Sequence, residues 1–242
     1  MKNNITLGAA GILLLAAFLL PPAHASAFQK TSEADRQAQK GAEYLSKKDW
    51  GRAADSYQKA VRADARHVEA NYGLGVAYTN LGRTADALAA FSNVVAAQPN
   101  PRAREALINV GAIHFALQHY REAADALERA VPLGDIGPKG HYFLGQSYFQ
   151  SGQLDKALES LRRAAADPQF AADANLAAGL VLLRQNRARE AVGPLEQAAR
   201  LAPQNANARM VLGHAYVSLG RAEEALAALR AADPNQFYTQ LG

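Results

Sequence analysis

The chain has 242 residues, with 26 Lys and Arg against 22 Asp and Glu, a formal charge of +4 and no cysteine. Without thiols it has neither a disulfide framework nor a thiolate metal site, and attachment through a lipidated cysteine is excluded. The basic residues are spread along the chain, which leaves no stripe for nucleic acid and no polybasic patch for a membrane surface.

At the amino terminus Lys2 is followed by an apolar run from Ile5 to Leu20, a Pro21-Pro22 break and Ala23-His24-Ala25. A charge, an apolar core and small residues at alternate positions are the layout of a secretory signal peptide. Residues 1–25 are assigned to it, with cleavage expected after Ala25, and residues 26–33 form a short linker. An uncleaved anchor is the competing reading, but the run is shorter than the ~20 apolar residues that cross a bilayer.

From there the chain repeats itself. Gly41, Gly75, Gly111, Gly145, Gly179 and Gly213 are spaced by 34, 36, 34, 34 and 34 residues. Twelve residues after each comes an alanine: Ala53, Ala87, Ala123, Ala157, Ala191 and Ala225. Four further on sits a larger side chain: Tyr57, Phe91, Leu127, Leu161, Leu195 and Leu229. Three more bring a small or β-branched one: Ala60, Val94, Ala130, Ala164, Ala198 and Ala232. Within each half of a unit the apolar residues recur at helical spacing, as in Leu74, Tyr78 and Leu81, then Leu88, Phe91 and Val95. The spacing therefore predicts two antiparallel helices per unit. The glycine of one and the alanine of the other let the backbones approach where they cross. A residue able to turn left-handed falls between them at Gly82, Gly152, Asn186 and Gly220, while Lys48 and Gln118 mark that place less clearly. Pro99, Pro132, Pro168, Pro203 and Pro234 fall near the ends of second helices.

These residues resemble the tetratricopeptide repeat, with its W-x2-L-G-x2-Y…A-x3-F…P pattern over 34 residues. The second unit is the closest match, through Leu74-Gly75, Tyr78, Ala87, Phe91 and Pro99; Leu144-Gly145…Tyr148 and Leu212-Gly213…Tyr216 repeat its core. The resemblance implies an all-α fold, an α-α superhelix of about six helix pairs. The units run 34–67, 68–101, 104–137, 138–171, 172–205 and 206–237, with a tail at 238–242. Departures from the pattern are informative. The signature tryptophan is replaced by Gln37, Asn71, Leu107, His141, Asn175 and Arg209, and the single Trp50 follows the first turn. Two extra residues around Asn100-Pro101 are expected to alter the superhelical step, and Pro194 is expected to bend a second helix. The first helix is polar (Arg36, Gln37, Lys40), as a terminal unit facing water should be. No full helix follows the sixth unit, which leaves Phe237, Tyr238 and Leu241 to fold over its end or to meet another chain.

Nothing in the sequence assembles a reactive centre. The histidines His24, His67, His114, His119, His141 and His214 have no metal-ligand spacing. His114 and His141 fall at helix-packing positions, and His67 and His119 near turns. No G-x-S-x-G elbow is present, and the Gly134–Gly140 stretch lacks the GK[ST] ending of a phosphate loop, so it is assigned as a connection between units. No enzyme, metal or cofactor is expected.

In a solenoid of helix pairs the first helices line the concave side. By the resemblance, the residues three before, one after and four after each repeat glycine face that groove. They are Ala38, Ala42 and Leu45; Tyr72, Val76 and Thr79; Ile108, Ala112 and Phe115. The later units give Tyr142, Gln146 and Phe149; Leu176, Leu180 and Leu183; Met210, His214 and Val217. A carboxylate clamp of the kind some relatives carry is not expected, because its positions hold Ala38, Ala42, Gly73 and Lys139, with only Asn109 compatible. Glu69, Glu105, Asp173, Asn80, Gln150 and Arg184 border the groove. The expectation is a non-catalytic scaffold or adaptor in a bacterial cell envelope, periplasmic or secreted. It would bind an apolar or amphipathic protein or peptide segment, bind no nucleic acid, and meet a membrane only through an envelope complex. The alternative is a structural protein that self-associates, as a homodimer or larger assembly, through its uncapped C-terminal end.

Overall fold

Ala, Leu, Arg and Glu, all good helix formers, dominate the chain beyond residue 32, and Gly or Pro appears mainly where a backbone must turn or approach closely. The computed structural model describes residues 32–97 and 100–232; the segment expected to be a signal peptide, Phe237, Tyr238 and the expected tail at 238–242 lie outside them. Twelve α-helices and one 3-10 turn follow one another, and no strand occurs among the described residues. The helices pair as α1 (Glu33–Ser46) with α2 (Trp50–Ala63), α3 (Val68–Asn80) with α4 (Thr84–Ala96) and α5 (Ala103–Ala116) with α6 (Tyr120–Ala130). They continue as α7 (Gly137–Gln150) with α8 (Leu154–Ala164), α9 (Ala171–Arg184) with α10 (Ala188–Leu201) and α11 (Ala206–Ser218) with α12 (Ala222–Ala232). The first helix begins at Glu33, inside the stretch assigned to the linker. The chain folds as the expected α-α superhelix.

The turn inside each unit is the same in all six. Lys48, Gly82, Gln118, Gly152, Asn186 and Gly220 have φ between 57° and 81°. The amide that follows each of them bonds back to the fifth residue before it, as in Arg83 N to Tyr78 O and His119 N to His114 O, both at 2.9 Å. This satisfies carbonyls that the helix end leaves open. Lys48 and Gln118 thus take the left-handed conformation although their side chains disfavour it. The hydrogen-bond pattern and the packing of both helices over-determine the turn.

Each repeat glycine sits under the large residue sixteen positions later. A Cβ at Gly145 would stand 2.7 Å from Leu161 Cγ, and one at Gly179 would come closer still to Leu195 Cγ. Tyr57 stands in the same way over Gly41, Phe91 over Gly75, Leu127 over Gly111 and Leu229 over Gly213. The alanines at the crossing and the large residues above them are buried in the first five units. In the sixth, Ala225 is buried but Leu229 is only partly so, as no further helix covers it among the described residues. Trp50 opens α2 and is half-buried. Pro194 lies inside α10, which runs unbroken from Ala188 to Leu201 without the hydrogen bond its nitrogen cannot donate.

First helices meet one another along the solenoid (α1 on α3, α5 on α7, α7 on α9, α9 on α11), and no second helix approaches another second helix as closely. The row of first helices is therefore the inner face. One step differs. Backbone contact is thinnest between α3 and α5, next to the two inserted residues, and the apolar core divides just beyond, across α5 itself. One buried cluster runs from Ala38 to Ile113 and the other from Leu107 to Ala225. Polar groups also span the α3–α5 step: Arg102 donates to both Glu69 carboxylate oxygens, at 2.8 and 3.0 Å, and Asn109 Nδ2 donates to the Tyr72 hydroxyl at 3.3 Å.

Candidate interaction groove

Side chains on the inner face come from helices whose opposite face is locked by the glycine contacts, so their positions follow from the repeat. Tyr72 and Val76 on α3 are partly buried, as are Ile108 and Phe115 on α5 and Tyr142, Gln146 and Phe149 on α7. Leu180 and Leu183 on α9 are partly buried, while Met210 on α11 is 49% exposed and His214 is exposed. Leu176 departs from expectation. It is buried in the core at 9% exposure, because α9 is apolar on more than one face and is held against both α7 and α11. The groove wall at that step is made instead by Phe170, which precedes α9 and lies 5.8 Å, ring to ring, from Tyr142.

Aromatic rings form the middle of the groove. Phe115 and Phe143 are 4.9 Å apart, Tyr142 and Phe143 6.0 Å, and Phe115 and Tyr120 5.7 Å. The sequence-derived set missed Phe143 and Phe170. Their neighbours Tyr142 and Ala171 carry the helical register, and ring contacts between helices have no periodic signature. Polar groups tether the tyrosines: Gln146 Nε2 donates to the Tyr142 hydroxyl at 3.1 Å. Cations lie over the rings, with Arg102 5.0 Å from Tyr72, Lys139 5.6 Å from Phe143 and Arg184 5.5 Å from Phe149. At the C-terminal end a depression of about 560 Å³ opens between α7, α9 and α11.

Away from the groove, the polar groups serve structure. Asn71, in the place of a signature tryptophan, is buried and fully used. Its Nδ2 donates to Ala65 O and His67 O at 3.0 Å, and its Oδ1 accepts from Asn93 at 3.1 Å. Tyr216 donates to Glu196 at 2.6 Å, and burial followed by that bond pushes its hydroxyl up to about 12. Tyr148 donates likewise to Glu128 across one unit boundary. His67 caps α3 by accepting from Ala70 N at 3.1 Å. His114 and His141 each bury an unpaired Nδ1, and burial holds both imidazoles below the usual histidine value. Among the described residues no three His, Asp or Glu side chains gather as metal ligands would, and no helix is long and apolar enough to cross a membrane.

A model of the tetratricopeptide repeat matches residues 39–100, 78–141 and 111–172, which together span more than half the chain. The chain belongs to the tetratricopeptide repeat family. Family members are protein-interaction scaffolds, and the inner face of the solenoid is the surface they present. A second model, of the anaphase-promoting complex (cyclosome) subunit 3, matches residues 162–232 of this repeat protein. Anaphase-promoting complex subunit 3 of Schizosaccharomyces pombe is 28% identical over 123 residues, 51% of this chain and 18% of that protein. Protein bimA of Emericella nidulans is 39% identical over 61 residues, 25% of this chain and 7% of that protein. The chain thus matches under a fifth of the length of either relative. Among solved structures, YrrB, described as a repeat protein with an unusual peptide-binding site, superposes with a TM-score of 0.68 at 22% identity, covering 76% of this chain and 95% of YrrB. A MamA structure gives 0.63 at 21% identity over 72% and 93% of the two chains. Cut9 in its complex with Hcn1 gives 0.55 at 18% identity over 84% of this chain and 40% of that one. At these identities the likeness is one of fold.

Proposed function

We propose that this repeat protein is a non-catalytic adaptor of a bacterial cell envelope, holding an apolar or amphipathic segment of a partner protein along its inner face. The observation that carries the reading is the part-exposed apolar and aromatic row from Tyr72 through Phe115, Tyr142 and Phe149 to Leu183 and Met210. A soluble protein rarely leaves so continuous an apolar surface uncovered unless something binds there. Export through the signal at residues 1–25 would place the scaffold outside the cytoplasm, and cell fractionation with N-terminal sequencing reads this directly. The binding test is crosslinking capture from envelope extract with the mature chain as bait, beside a variant carrying Tyr142→Ser, Phe149→Ser and Leu180→Ser. A partner captured by the parent and lost by the variant, with helicity unchanged, supports the groove. Equal capture by both places recognition elsewhere.

Self-association is the second reading, and a specific observation favours it. The last unit leaves Val217 58% and Leu226 44% exposed, with no helix after it among the described residues. A concentration-dependent molar mass that collapses to the monomer in Val217→Ser/Leu226→Ser supports it. A monomer at all concentrations rules it out.

A further inference from the structure

The C-terminal depression of the groove combines an apolar lining with a net positive charge. Phe149 from α7, Leu180 and Leu183 from α9 and Met210 and Val211 from α11 line it, together with Arg184, Asn207 and His214. No Asp or Glu is among the lining residues. Several arginines nearby in sequence have carboxylate partners, with Arg163 on Glu159, Arg187 on Glu190 and Arg221 on Glu224, whereas Arg162, Arg189, Arg200 and Arg209 have none among the described residues. Arg184 pairs with none among the described residues. Its guanidinium lies over the Phe149 ring, and its hydrogen bond is a long one of 3.5 Å to the Phe149 carbonyl. The ring fixes the direction of the charge while leaving guanidinium N–H groups available, which is the arrangement a planar carboxylate accepts.

We infer that this depression takes a large apolar side chain of the bound segment together with an adjacent acidic side chain, Asp or Glu, which pairs with Arg184. The inference rests on the groove reading above. Two features favour an acidic side chain over a chain-terminal carboxylate. The depression is apolar on three helices, so it first needs a side chain to fill it. The apolar row also continues from α11 back to α3, so a segment seated here extends along the groove. Asn207 and His214, on the far helix, supply the remaining polar contacts for its backbone.

The test selects peptides on the full chain from a random library displayed between carrier sequences, so that no free terminus is offered. Enriched peptides are then synthesised with amidated ends. The expected outcome is an Asp or Glu enriched beside a large apolar residue. Affinity should be about fivefold weaker for Arg184→Ala, the scale of one exposed ion pair, and should fall with added salt. Binding lost in Arg184→Glu should return when the peptide acid is changed to Lys. Apolar peptides without an acid, bound equally by the parent and Arg184→Glu, overturn the inference while leaving the groove reading intact. Peptides whose binding survives Tyr142→Ser/Phe149→Ser/Leu180→Ser overturn both, as does failure to enrich any peptide. Binding that appears only with a free terminal carboxylate overturns the side-chain assignment alone.

Discussion

A missing methyl group holds each helix pair at its distance. Gly179 lies against Leu195 so closely that a Cβ would enter the space of its side chain. Leu195 is fully buried, and the close approach falls on its branched Cγ as well as on a terminal methyl. Gly179→Ala is therefore expected to destabilise by about 1–3 kcal/mol through overpacking, despite the better helix propensity of alanine. Leu195→Ala alone should cost about 2–5 kcal/mol as a cavity. The double variant should cost clearly less than the two together, because the alanine methyl occupies part of the vacated space. Urea denaturation of the four proteins checks this, and additive losses would place the strain elsewhere. This residue pair is also the most legible part of the sequence, since six copies in one phase announce the close approach through spacing alone. Legibility fails where geometry is imposed from outside the residue. Lys48 and Gln118 carry no left-handed signal, yet they turn as glycine does because the flanking helices require it.

At the scale of an element, α7 shows what the repeat tolerates when its pattern residue is replaced. His141 occupies the signature-tryptophan position, half-buried, with Nδ1 unpaired and Nε2 3.7 Å from Asp135 Oδ1. Burial depresses its basicity most and Arg163 adds to that, while Asp135 and Glu159 oppose it. His114 on α5 is depressed in the same direction, chiefly by burial. A histidine with a lower pKa folded than unfolded lets the unfolded chain take up protons first. Its contribution to stability is therefore full above about pH 6.5, the unfolded value, and is lost as pH falls through the folded value. The urea midpoint should drop between about pH 7.5 and pH 5.5. His141→Leu, copying Leu107 of the third unit, should reduce that drop. An unchanged slope would assign the acid sensitivity to other groups. The inner face of α7 was legible through Tyr142, Gln146 and Phe149, because they follow the register of Gly145. Leu176 on α9 was not, because a helix apolar on several faces does not declare which of them its neighbours will cover. Phe143 and Phe170 escaped for the complementary reason: they join the groove by ring contacts between helices.

Across the whole molecule, the apolar core is two clusters that meet at α5. In a solenoid, stability is a sum of unit terms and nearest-neighbour interface terms, so the thin α3–α5 step is where cooperativity should weaken. The Glu69–Arg102 pair across it is roughly half exposed on both sides and adds at most about 1 kcal/mol. Leu195→Ala is therefore expected to raise amide exchange throughout α7–α12 while leaving α1–α4 near their parent protection. Hydrogen exchange by mass spectrometry at moderate urea separates the two outcomes. A uniform loss across all helices would mean that the two clusters unfold as one. The two residues inserted at Asn100-Pro101 were visible in the sequence as a spacing of 36, but the split of the core was not. It runs through α5, whose Ala106 and Ile113 join one cluster while Leu107 joins the other, and no local pattern announces that division.

The glycine and its large partner also bear on how such a gene can change length. Every unit from the second to the fifth closes its own helix pair with the same lock, so a duplication or deletion of one 34-residue module would insert or remove a self-locked pair and shift the ladder by one rung. The groove would grow or shrink by one set of three side chains while the remaining sets kept their order. Recombination across the 36-residue step would instead copy or erase the joint between the two cores. Lineages of this chain can thus vary in reach by changing rungs, and in compliance by changing the joint, as two independently heritable traits.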